Sequence, residues 1–61
     1  MDKDKALEIM LTSFQEDTRV LGKNVPGMTD EELEQKIQES EQSLLFMLSN
    51  AYDKVEEAKG L

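Results

Sequence analysis

An all-α fold is predicted by three features of the sequence: a two-helix antiparallel hairpin that completes a four-helix or larger bundle by oligomerisation. Two segments carry apolar residues at alternating spacings of four and three, which places them on one face of a helix. Between them, Gly22, Asn24, Pro26 and Gly27 form the one cluster of turn-forming residues in the 61-residue chain. A helix-start pattern then opens at Thr29. The predicted organisation is a single helical hairpin over residues 1–61, with helix 1 at about 2–21, a loop at 22–28 and helix 2 at about 30–59.

In helix 1, Leu7, Leu11, Phe14, Thr18 and Leu21 make the apolar stripe. Met10 widens it, and Ala6, Ile9 and Val20 carry it round one side, so the apolar arc spans roughly 200° at 100° per residue. One neighbouring helix covers less than that. Asp17 falls at the edge of the arc, where an interface rim would leave it to water or a lysine. Gly22 follows as the expected C′ stop.

Helix 2 has the more explicit start. Thr29 is placed to cap the backbone N–H of Glu32 while the Glu32 side chain reaches back, and Met28 is placed to pack on Leu33 as a hydrophobic staple. Asp30, Glu31 and Glu32 put carboxylates at the positive end of the helix dipole. Leu33, Ile37, Ser40, Leu44, Leu48, Ala51, Val55 and Ala58 then form one stripe, with Lys54 and Lys59 near a stop at Gly60.

At 1.5 Å per residue helix 2 reaches roughly 45 Å and helix 1 roughly 30 Å. Folding them antiparallel sets Leu21 near Leu33, Phe14 near Ile37, Leu11 near Ser40 and Leu7 near Leu44. Ala51, Tyr52, Val55, Ala58 and Leu61 are then expected to lack an intrachain neighbour. The run Leu44-Leu45-Phe46-Met47-Leu48 adds to this expectation, because five consecutive apolar residues surround a helix, and Phe46 lies about 200° from Leu44. Leu7, Leu11, Phe14, Leu44, Leu48 and Ala51 are the expected oligomer core. Leu45, Phe46, Met47, Tyr52 and Val55 are the expected contacts with a partner.

Composition narrows the function classes. A chain this short buries only about 60% of the surface its unfolded form exposes, so it needs added stabilisation. There is no cysteine and no histidine, which removes disulfides and the usual zinc ligands and leaves association as the common route, a dimer being the simplest. The same absence removes the commonest general base and the most readily activated nucleophile, and two helices scarcely enclose a pocket, so no enzymatic activity is expected. No cofactor and no metal site is expected: a carboxylate di-iron site lacks its histidines, Asp2-x-Asp4 lacks the rest of a calcium loop, and Gly22 to Gly27 lacks the ending of a phosphate-binding loop.

Fourteen acidic and seven basic residues give a net charge of −7, which disfavours nucleic acid and anionic membrane surfaces as direct partners. The charged start of the chain is not a signal peptide pattern, and no apolar stretch suffices to span a bilayer, so a cytoplasmic protein is expected. The functional expectation is a small acidic protein-interaction module, an adaptor or inhibitor, that binds another macromolecule through apolar residues of helix 2. The alternatives are a structural homo-oligomeric assembly protein, an acidic nucleic-acid-mimic decoy, and an oligomeric small-ligand binder.

Overall fold

The computed structural model describes residues 2–60, which form two helices, α1 (Lys3–Gly22) and α2 (Asp30–Lys59), packed against each other in antiparallel order. Leu61, expected at the far end of the second stripe, lies outside the described residues. The Cα atoms span 47 × 18 × 16 Å, so the length of α2 sets the length of the hairpin.

Asp2 caps α1: its backbone is extended (φ −78°, ψ 166°) and its Oδ1 accepts the Lys5 backbone N–H at 2.8 Å. A carboxylate there satisfies a donor that the helix itself leaves without a partner and also meets the positive end of the dipole.

The other end of α1 corrects the sequence expectation. Gly22 is not a left-handed stop beyond the helix; it is the last helical residue and is buried. A Cβ at this position would lie 2.7 Å from Cδ2 and 3.1 Å from Cγ of Leu33, so the absent side chain is what lets α1 close onto the first turn of α2. The helix ends by tightening instead, with the Asn24 and Val25 N–H groups each donating at 3.1 Å to Leu21 and Gly22 carbonyls.

Val25 to Met28 then form a type II turn. The Met28 N–H donates to the Val25 carbonyl at 3.3 Å, Pro26 takes the second position, and Gly27 takes the third with φ +81°. Thr29 follows with an extended backbone, and its Oγ1 accepts the Glu32 N–H at 3.1 Å. Among the hydrogen bonds of the described residues there is no return bond from the Glu32 side chain, so half of the expected capping box is present. Met28 is half-buried and Leu33 buried, as the expected staple requires.

Three polar contacts set the register: Arg19 with Glu34, Gln15 with Glu41, and Lys3 with Asp53. They correct the expected pairing, because the start of α1 reaches more than one helical turn further along α2. Tyr52, expected to stand beyond the reach of α1, is half-buried, whereas Ala51, Val55 and Ala58 are exposed.

The contact rows also differ from the predicted stripes. Lys3, Leu7, Leu11, Gln15 and Arg19 on α1, and Leu33, Ile37, Glu41, Leu45 and Ser49 on α2, are all buried or half-buried at spacings of four. Such rows are inclined to the helix axis, so the seam winds round each helix as it runs. Phe14 and Leu21, expected to pack against Ile37 and Leu33, are carried out of the seam and are exposed. The buried apolar side chains among the described residues are Leu33, Ile37 and Leu48, a thin core. No described helix is long and apolar enough to cross a membrane.

Candidate functional site

At 100° per residue, the winding seam leaves two unlike flanks. On one, Arg19 and Glu34 form a two-pronged ion pair, Nε to Oε1 at 2.7 Å and the second guanidinium nitrogen to Oε2 at 3.2 Å. Gln15 donates to Oε1 of Glu41 at 3.2 Å beside it. An open groove runs here, with Asp30, Glu31, Gln35 and Gln38 completing its polar lining. The bond from Arg19 holds the Glu34 carboxyl below its ordinary range, and the same bond raises the guanidinium above its own. Periodicity did not mark this flank, because Gln15 and Arg19 fall outside the apolar stripe; they reach the seam with their aliphatic stems and keep their polar ends at its edge.

The other flank is apolar. Half-buried Met10 and Leu44 line the seam there, next to Phe14 at 51% exposure. Two hydroxyls on this side are already occupied within their own helices: Thr18 Oγ1 donates to the Phe14 carbonyl at 2.8 Å, and Ser40 Oγ donates to the Ile37 carbonyl at 3.2 Å.

The residues expected to meet a partner separate into three places. Leu45 and Tyr52 are half-buried towards α1. Met47 and Val55, two spacings of four apart, share the outward face of α2 with Ala51. Phe46 stands about 100° away from Met47, towards the polar flank, and is 69% exposed. Of the residues expected in an oligomer core, Leu48 is buried within the hairpin, Leu7, Leu11 and Leu44 are half-buried, and Phe14 and Ala51 are exposed. Ile9, Val20 and Leu21 add exposed apolar surface along α1. Asp17 is also exposed.

Among the described residues no group of three or more acidic side chains converges as metal ligands would. The chemistry this surface offers is apolar contact from its exposed hydrophobic side chains and, along the polar groove, carboxylates around Arg19. No protein-family model, curated protein or solved structure matches the chain.

Proposed function

We propose that the protein is a non-enzymatic, cytoplasmic interaction module, an acidic adaptor or inhibitor that binds another macromolecule through apolar side chains of α2. The observation that supports this most directly is Phe46, a large aromatic side chain 69% exposed in the middle of an uninterrupted thirty-residue helix. Fully burying such a side chain contributes roughly 1.5–3 kcal/mol, and aromatic anchors of this kind dominate protein interfaces. The net charge of −7 favours a partner with a basic surface and speeds the encounter with it.

A photoreactive amino acid in place of Phe46 tests the reading in extract of the native host. It should crosslink to one distinct protein, and unlabelled wild type should compete for that product while Phe46→Asp should not. Absence of any crosslink, or competition by both proteins alike, would remove Phe46 from the binding surface and the proposal with it.

A further inference from the structure

We infer that Met47 is a redox modification site: a peroxide converts its thioether to the sulfoxide and makes the outward face of α2 polar while the hairpin stays folded. The loss of binding that follows rests on the proposed role of α2, whereas the modification and its effect on the fold stand on the hairpin alone.

Oxidation has few targets in this chain. With no cysteine and no tryptophan, the groups open to a peroxide are the thioethers of four methionines. Met1 lies outside the described residues. Met10 is half-buried along the seam, and Met28 is half-buried in the staple position before buried Leu33. Met47 is 59% exposed in the middle of α2. Susceptibility follows access to the sulfur, so Met47 reacts first of these three. One oxygen atom passes from hydrogen peroxide to a sulfur lone pair, the O–O bond breaks and water leaves, so sulfur gives up the two electrons that the peroxide gains. A sulfoxide reductase that draws two electrons from a dithiol reverses the step, with disulfide and water as products.

Position decides the consequence. On the helix surface Met47 neighbours Ser43, Leu44, Asn50 and Ala51, none of them charged, and its flexible thioether suits apolar contact with a partner. The sulfoxide oxygen is an acceptor that water satisfies while this face is free. An apolar partner surface does not, and covering the oxygen there costs an unmade hydrogen bond. The hairpin itself loses no contact, because Met47 stands outside the seam. Met10 and Met28 follow the opposite logic: a sulfoxide at either puts a polar group into intrachain packing and destabilises the hairpin.

Titration of the full chain with hydrogen peroxide tests the site, with each methionine followed by peptide mass mapping and the fold by circular dichroism and thermal melting. The Met47 peptide should gain its oxygen before the Met10 and Met28 peptides do, and at that stage the melting temperature should equal that of untreated protein. Further oxidation at Met10 and Met28 should lower it. For the binding consequence, oxidised protein serves as competitor in the crosslinking reaction through residue 46. Wild type oxidised at Met47 should compete at least about tenfold less well than untreated protein. Met47→Leu, which keeps the apolar volume and has no sulfur at this position, should compete as well after peroxide as before. Earlier oxidation of Met10 or Met28, a lowered melting temperature with Met47 alone oxidised, undiminished competition by oxidised wild type, or an equal loss in oxidised Met47→Leu would overturn the assignment. If untreated wild type gives no crosslink, the proposed function falls by itself, and the order of oxidation and the melting temperature still decide the modification site.

Discussion

The two ends of the hairpin are held by different means. At the turn, Gly22 meets Leu33 without an intervening side chain, Gly27 supplies the one positive φ among the described residues, and Thr29 caps α2. At the open end, α1 begins beside Asp53 through a single ion pair with Lys3 at 3.0 Å, and Val55 and Ala58 continue past it with no helix opposite. Short-range chemistry therefore specifies one end completely, while the other is specified only as far as α1 reaches. Intrachain stability should be concentrated at the turn, and sensitivity to association towards the middle and open end.

Leu33 gives this contrast its largest expected signal. Leu33→Ala removes a side chain from one of the few buried sites, at 6% exposure, and should cost about 2–5 kcal/mol in a denaturant titration. Glu57→Ala, exposed on the overhang, should stay within about 0.5 kcal/mol. Comparable losses from the two would mean that the ends share the load and would break the contrast.

Thr29→Ala probes the same end through one hydrogen bond. It removes the oxygen that accepts the Glu32 N–H, and a lost cap of this kind costs about 1 kcal/mol. Since the return bond from Glu32 is absent, Glu32→Ala should leave the cap intact and lose only the interaction of its charge with the helix dipole, by the same amount with or without Thr29. A cost for Glu32→Ala that vanishes once Thr29 is replaced would restore the reciprocal capping box.

The same division explains what could be read from the sequence. Both helices, the turn and the Thr29 cap were legible because each depends on residues a few positions apart: Pro26 with Gly27, Thr29 with Glu32. The register was not legible, because periodicity gives the face of a helix and says nothing of its axial offset; that offset follows from the tightened end of α1 and the type II turn. The flanks were misjudged for a related reason. Counting apolar residues drew Phe14 and Leu21 into the predicted core, whereas the actual row takes every fourth residue and includes Gln15 and Arg19, whose long stems can reach the seam. The exposed Phe46 was the easiest surface feature to find, since a run of five apolar residues cannot all face one neighbour. How far Phe46, Met47 and Val55 each turn away from the seam depends on where the partner helix lies.

The smallest expected effect is the pH dependence of the Arg19–Glu34 pair, which joins α1 to α2 near the turn. Hydrogen bonding to Arg19 lowers the Glu34 pKa in the folded chain, so the unfolded chain takes up this proton more readily as the pH falls. Stability from the pair is thus fully present above the ordinary glutamate range and is lost as pH drops through the lowered folded value. Arg19 stays charged throughout and adds no step of its own. Both side chains are about half exposed, so the contribution is weak and screened by salt. Glu34→Gln should therefore flatten the acid limb of the stability curve slightly at low ionic strength and leave it unchanged at about 1 M salt. If Glu34→Gln and wild type follow the same acid limb at low salt, the ion pair contributes nothing to the turn end, and the stability there belongs to Leu33, Gly22 and the cap alone.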